Sequence, residues 1–363
     1  MSVNRDICLN LKNICLVSPF PPPQGGMAVQ AEKLMDCLRK DGLNVATVRT
    51  NQPLPGKLKK VPFLRTLWNL TAFLIHLDKA LRKTDTVYIL SGFLNFFFWV
   101  TFPAIVMARI YGKKIVISAR GGGAGEFFQR YGVLVKKILL QADAITTPSG
   151  YLQDVFWKHY GIQVVVVPNI ADLKQFGFIE RKCFRPRLLV TRSLEEIYDV
   201  GCVIRAFQLV QARYLDAVLG IAGIGTQKDK LKCLVKEFGL EDQVTFYGEV
   251  NHSQMQKLYK EYDILGNAST TDNLPGTILE AFASGLAIVT TNAGGIPHMI
   301  QDGITGILVD VGDCRGLADQ IVRILENPEL GRSLTRNGLA ECDRYSWDHI
   351  RRALVPLLCS LQR

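Results

Sequence analysis

Short runs of β-branched and other apolar residues alternate along this chain with longer stretches in which apolar positions recur every three or four residues. The first pattern is that of buried strands, the second that of amphipathic helices. Their regular alternation predicts an α/β protein with parallel sheets. In the first half, strands are predicted at Asn13–Pro19, Asn44–Arg49, Thr86–Leu90, Lys114–Ala119, Asp143–Thr147 and Gln163–Val167, with helices between them such as Met27–Lys40, closed by Asp41-Gly42. A second set follows at Arg187–Thr191, Ala217–Ala222, Gln243–Tyr247, Asp263–Ala268, Ala287–Thr291 and Gly306–Val309. Between the sets, Ala171–Pro186 is polar and basic without a period and reads as a linker. Two similar halves predict two Rossmann-like domains, over 1–170 and 187–345, joined by 171–186 and followed by a last helix, Trp347–Leu361, within 346–363.

Two stretches carry more apolar weight than this scheme requires. Thr86–Ala108 holds no charged residue over 23 positions and includes Phe93, Phe96, Phe97, Phe98 and Trp99, which meets the length of a membrane span. Ser91-Gly92 and Pro103 interrupt it, so it reads as a buried strand followed by a buried helix, with the span as the alternative. In Lys57–Lys83, four cations (Lys57, Lys59, Lys60 and Arg65) lead a helical stripe through Phe63, Leu64, Leu67, Trp68, Leu70, Leu74, Leu77 and Leu81. Such a stripe is either the core face of a surface helix or an element that lies in a lipid interface.

Composition narrows the class. With 363 residues, 48% of them hydrophobic and 21% charged, the chain can fill two ordinary cores. Nine cysteines are scattered singly with no Cys-x-x-Cys pair, which predicts reduced thiols in a cytoplasmic protein and no zinc site. Met1–Leu11 carries Asp6 before any apolar run and is not read as a secretory signal. Charge is uneven: residues 1–170 hold 21 Lys and Arg against 9 Asp and Glu, whereas 171–363 hold 22 against 24. The first half is therefore a candidate for contact with anionic membrane or a phosphorylated acceptor. No helix-turn-helix, zinc-finger or RNP-type pattern accompanies the charge, so nucleic acid is not an expected partner.

The chemistry concentrates at Asp272 and Glu280, eight residues apart across Asn273-Leu274-Pro275-Gly276-Thr277. Pro275 is expected at a first helical position, and the N–H groups of a helix start form an anion site. The arrangement suits a phosphate at the helix tip and hydroxyls for the two carboxylates, as in a nucleotide sugar. Ordinary helix capping explains the same residues taken alone. Context adds Gly294-Gly295-Ile296-Pro297 downstream and, far upstream, Gly25-Gly26 after a strand, where backbone approaches a ligand closely. Arg120 and the glycines Gly121 to Gly123 follow another strand, Arg192 ends the first strand of the second half, and Gly223 and Gly248 follow the next two.

In this order the motifs resemble the family-4 retaining glycosyltransferases of the GT-B fold, whose signature is an acid, seven residues and a Glu, over nearly the full length. The resemblance implies two Rossmann-like domains facing a cleft, with the C-terminal helix crossing back to the first domain. It implies that Arg192, Asn273, Leu274, Gly276 and Thr277 hold the donor diphosphate, that Glu280 holds the ribose, and that Asp272 contacts the transferred sugar. Gly223 and Gly248 then lie near ribose and base, and Gly25 and Gly26 near the diphosphate and acceptor. It further implies a nucleotide-sugar donor, a lipid-linked or polysaccharide acceptor, no cofactor beyond the donor and no metal; the chain contains no Asp-x-Asp triplet.

Two positions depart from the family pattern. A histidine that many members place near the donor sugar is replaced at Ala119-Arg120, and the lysine expected five residues after Arg192 falls at Ile197-Tyr198. Arg120 is the first substitute for that lysine, or else the partner of Glu126. A nucleotide-sugar epimerase of related fold and a non-catalytic nucleotide-sugar-binding scaffold are the alternative readings.

Overall fold

The computed structural model of the chain describes residues 13–22, 25–52, 62–121 and 123–361, the side chains of 62–67 excepted. Lys57, Lys59 and Lys60, and the side chain of Arg65, thus lie outside the described residues. Two compact units are present, one of Met1–Ile170 with Trp347–Arg363, the other of Ala171–Ser346.

The first unit runs β1 (Asn13–Ser18), α1 (Gly26–Lys40), β2 (Asn44–Arg49), α2 (Pro62–Leu81), β3 (Thr86–Ser91), α3 (Phe102–Ile110), β4 (Lys114–Ala119), α4 (Ala124–Leu139), β5 (Ala144–Thr147), α5 (Gly150–Tyr160) and β6 (Val165–Val166). Its sheet is parallel with order β2-β1-β3-β4-β5-β6. β3 is buried along its whole length, as a central strand covered on both faces must be. The phenylalanine-rich run after it is core: Phe93, Phe97 and Phe98 pack with Phe127, Phe128 and Tyr131 in edge-on and tilted pairs. A π-helical turn at Phe97–Thr101 leads directly into α3, with Pro103 just after the junction. No described helix is long and apolar enough to cross a membrane.

The second unit runs β7 (Arg187–Val190), α6 (Val200–Arg213), β8 (Val218–Ala222), α7 (Lys228–Glu237), β9 (Val244–Gly248), α8 (His252–Glu261), β10 (Ile264–Asn267), α9 (Gly276–Ser284), β11 (Ala287–Thr291), β12 (Ile307–Val309), α10 (Cys314–Glu326) and α11 (Pro328–Glu341). Its sheet, also parallel, has order β12-β11-β10-β7-β8-β9. The winding direction therefore reverses between β7 and β10, and a crevice opens at the carboxyl ends of strands on either side of such a switch.

The last helix, α12 (Trp347–Ser360), belongs to the first unit. It buries Ile350, Leu354 and Leu358 among Ile14, Leu34, Leu38 and Val45, and the Trp347 indole N–H donates to Asp41 at 3.0 Å.

Two sequence expectations change. The segment 171–186, read as a linker for want of a period, is packed into the second unit: Phe176 and Phe184 enter its cores and Arg181 is buried. Its apolar residues follow no period, yet Phe176 and Phe184 anchor it. The thiols read as reduced include a joined pair: Cys202 and Cys314 form a disulfide across 112 residues, with Cα atoms 5.1 Å apart. They sit in the first turns of α6 and α10, which lie side by side, a neighbourhood that single, scattered cysteines do not advertise.

Candidate functional site

The polar side chains of the second unit gather where β7 and β10 diverge. Arg192 lies two residues beyond β7 and Asp272 five beyond β10, so each reaches the switch-point crevice from its own side. The guanidinium donates to the Asp272 carboxylate, and both side chains are mostly buried. It also lies over the Tyr198 ring, 4.0 Å from the centroid. The other Asp272 oxygen accepts from the Asn273 N–H at 2.8 Å. Burial lifts the Asp272 carboxyl above its ordinary range, although Arg192 and the Asn273 N–H pull it down. Arg192 Nε is buried without a partner.

Close backbone packing fixes this loop. The N–H of Gly295 donates to the Asp272 carbonyl at 2.7 Å. A Cβ on Gly294 would strike that carbonyl, and one on Gly295 would strike the carbonyl of Asn273. The glycine pair downstream of the motif thus supports the Asp272-Asn273 backbone. On the opposite side, Gly223 has φ +156° and no room for a Cβ against the Arg192 carbonyl, while its N–H donates to the Gly248 carbonyl at 2.8 Å. The two glycines expected near ribose and base therefore bind the ends of β7, β8 and β9 together.

Pro275 is not the first helical residue. It is the extended residue before α9, with ψ 115°, and the helix proper begins at Gly276. The N–H groups of Gly276 and Thr277 have no acceptor within the helix, so the anion-binding tip survives this shift of one residue. Leu274 is half-buried against the core beneath, fixing the approach to that tip. Glu280 is half-buried one turn further on, and the Tyr259 hydroxyl donates to its carboxylate at 2.9 Å. Tyr259 is fully buried at the end of α8, and its hydroxyl also meets Thr191 Oγ1 at 3.2 Å. Neither tyrosine, 198 or 259, is visible as a site residue in the sequence. Each occupies a position where an aromatic side chain equally serves the core.

The remaining candidates lie in the first unit. Gly25 and Gly26 form the entry to α1 beside the switch between β1 and β3, and are exposed with open space where a Cβ would stand. Arg120, at the end of β4, is turned to Ser118 at 3.1 Å and to Asn169. Burial lowers its pKa from the usual value, partly offset by Tyr88. Among the described residues Glu126 is not its partner. No group of three or more His, Cys, Asp or Glu among the described residues is close enough to hold a metal ion.

Comparison with known proteins places this geometry. The segment 184–340 matches the family model for glycosyl transferases group 1, and 24–175 matches that for glycosyltransferase family 4. An N-acetyl-alpha-D-glucosaminyl L-malate synthase of Bacillus anthracis is 32% identical over 161 residues, 44% of this chain and 41% of that relative. A glycogen synthase of Mycobacterium tuberculosis is 26% identical over 253 residues, 65% of this chain and 60% of the relative. The matched stretches thus span from two fifths to three fifths of these relatives' lengths. Among solved structures, Anabaena Alr3699/HepE in complex with UDP and glucose superposes with a TM-score of 0.70 at 17% identity, covering 96% of this chain and 100% of that one. Sucrose-phosphate synthase of Thermosynechococcus elongatus gives 0.74 at 19% identity, covering 96% and 99%. At such identities the likeness shows the fold, which is GT-B with two Rossmann-like domains. With one of these models over its first half and the other over its second, the chain is identified as a glycosyltransferase of the GT-B fold.

Proposed function

We propose that the protein is a retaining glycosyltransferase that moves a sugar from a nucleotide-diphosphate sugar to a lipid-linked or polysaccharide acceptor without a divalent metal. The observation that carries this reading is the convergence of Arg192, Asp272, the α9 tip and Glu280 at one switch-point crevice of the second unit. Arg192 and the N–H groups of Gly276 and Thr277 supply positive charge for a diphosphate leaving group, the role a metal would otherwise fill. Glu280 accepts from the ribose hydroxyls. Asp272, with its loop clamped by Gly294 and Gly295, faces the transferred sugar and supports charge developing at the anomeric carbon. Most of the catalysis is then positioning. The acceptor attacks the face the leaving group vacates, so configuration is kept. That Alr3699/HepE is solved with UDP and with glucose supports a nucleotide-sugar donor for a chain of the same fold.

For the acceptor side, the excess cations of residues 1–170 and an exposed apolar stripe on α3 support peripheral contact with anionic lipid, at the inner face of the membrane.

Incubation with a panel of radiolabelled nucleotide sugars and membrane extract tests the reading. Label transferred to lipid or glycan, insensitive to a chelator and with the donor's anomeric configuration, is expected. Interconversion of free donor would mark an epimerase instead. Failure of UDP, GDP and ADP alike to raise the melting temperature would remove the nucleotide site altogether.

A further inference from the structure

We infer that Tyr259 is a positioning residue for nucleotide recognition, the last link of a Thr191–Tyr259–Glu280 hydrogen-bond chain that holds the Glu280 carboxylate toward the ribose. The inference rests on the reading that Glu280 binds the ribose.

A phenol has one proton to give. The Tyr259 hydroxyl lies 2.9 Å from Glu280 Oε2 and 3.2 Å from Thr191 Oγ1. A carboxylate accepts only, and this one lies nearer than the other pure acceptor, the Thr277 carbonyl at 3.5 Å, so the phenolic proton belongs to Glu280, and the bond to Thr191 runs the other way, from its hydroxyl to the tyrosine oxygen. The direction of the chain is thereby fixed, Thr191 to Tyr259 to Glu280. Burial, together with the carboxylate beside it, pushes the Tyr259 hydroxyl well above the ordinary range, so it remains a donor throughout the physiological range.

The chain has rigid ends. Thr191 is buried immediately after β7 and directly precedes Arg192, so the support of Glu280 is anchored next to the diphosphate candidate. The carbonyl of Tyr259 accepts from the buried Arg181 at 2.9 Å, which fixes the end of α8 as well. A glutamate on a helix has three rotatable side-chain bonds. Holding one carboxylate oxygen on a buried donor removes much of that freedom before the nucleotide arrives. A wholly structural tyrosine would contribute stability but leave ribose recognition untouched, and this separates the two roles.

The test uses the full chain with UDP, GDP or ADP, whichever binds most tightly, and its 2′,3′-dideoxy counterpart, with dissociation constants measured by calorimetry. Wild type is expected to prefer the ribonucleotide at least tenfold, and Glu280→Gln to lose most of that preference. Tyr259→Phe should lose about five- to tenfold of it while binding the dideoxy compound as wild type does. Thr191→Val, which removes only the first donor, should lose a smaller part and serves if the phenylalanine variant does not fold. If Glu280→Gln loses the preference while Tyr259→Phe, or a folded Thr191→Val in its place, keeps it, Glu280 binds ribose without this support and the inference is overturned. If wild type shows no preference, or Glu280→Gln keeps it, the ribose reading of Glu280 fails first and the inference falls with it.

Discussion

At the scale of single residues, Arg192 is held on two sides, by the Asp272 carboxylate and by the Tyr198 ring. This bears on the missing lysine of the phosphate clamp. On the proposed reading Arg192 serves without that lysine, pre-aligned by an aromatic face, and a guanidinium fork binds phosphate oxygens in pairs. Arg192→Ala is expected to reduce activity at least tenfold and to weaken binding of the nucleoside diphosphate more than of the nucleoside. Equal losses for both ligands would take Arg192 off the phosphate. Asp272 adds a pH signature. Burial raises its carboxyl above 3.8, so it takes up a proton earlier on acidification than an ordinary aspartate. Turnover should therefore decline on the acid side with a midpoint above 3.8, while affinity for the free nucleoside diphosphate, assigned in the proposed reading to Arg192 and not to Asp272, should hold up. The effect of this group on stability has its own sign: the folded chain binds the proton more tightly than the unfolded, so the contribution declines as pH rises through the raised value. Asp272 and Glu280 were legible in the sequence because eight residues place them around one helix start. The Arg192–Asp272 and Tyr259–Glu280 contacts cross 80 and 21 residues and arise from strand order, which local spacing does not encode.

At the scale of elements, most strands fall within a residue or two of their expected positions, since β-branched runs buried on both faces leave few alternatives. What the pattern did not show was tertiary: the packing of 171–186 and the joining of Cys202 to Cys314. The first has a measurable consequence. Arg181 donates to the Asp263 carboxylate at 2.8 Å and to the carbonyls of Tyr259, Tyr262, Ser284 and Gly285, tying the segment to both α8 and the end of α9. Arg185 completes the cluster on Asp263 at 2.8 Å. Removing Arg181 leaves Asp263 with Arg185 as its counter-charge but strips the buried donor from four carbonyls, so Arg181→Met should cost about 3–5 kcal/mol in denaturant unfolding. A loss under 1 kcal/mol would mean the segment is held by Phe176 and Phe184 alone. Burial pushes the Asp263 carboxyl up, but hydrogen bonds from Arg185 and Arg181 outweigh it and hold the group below its usual 3.8. Its stabilisation is thus complete above that value and lost as pH falls through the depressed one, opposite in sense to Asp272. Melting curves of wild type and Asp263→Asn should therefore converge toward acid pH.

At the scale of the whole molecule, composition is divided: the excess positive charge belongs to residues 1–170, at 21 cations against 9 anions, and the second half is near neutral. The apolar surface adds to this. On the π-helical turn and α3, Trp99, Phe102, Val106 and Ile110 recur at spacings of three and four and are 54%, 41%, 40% and 76% exposed, a stripe facing away from the core. Part of the run Thr86–Ala108, read as wholly buried, is therefore buried on one side only. On the proposed reading this face enters a lipid interface, where cations beside anionic lipid contribute about 1 kcal/mol each, fading beyond a Debye length. Wild type should accordingly sediment with anionic vesicles at low salt and partly leave them at high salt. Replacing Lys57, Lys59, Lys60 and Arg65 by Gln should remove the salt-dependent part. Replacing Trp99, Phe102 and Val106 by Ser should remove what persists in high salt, and both variants should keep nucleotide binding if it belongs, as proposed, to the second unit. If wild type stays in the supernatant at low salt, stripe and cations are both ordinary surface, and the acceptor must reach the enzyme from solution. If only the serine variant is released, the apolar face alone carries the contact and the charge asymmetry serves a phosphorylated acceptor instead.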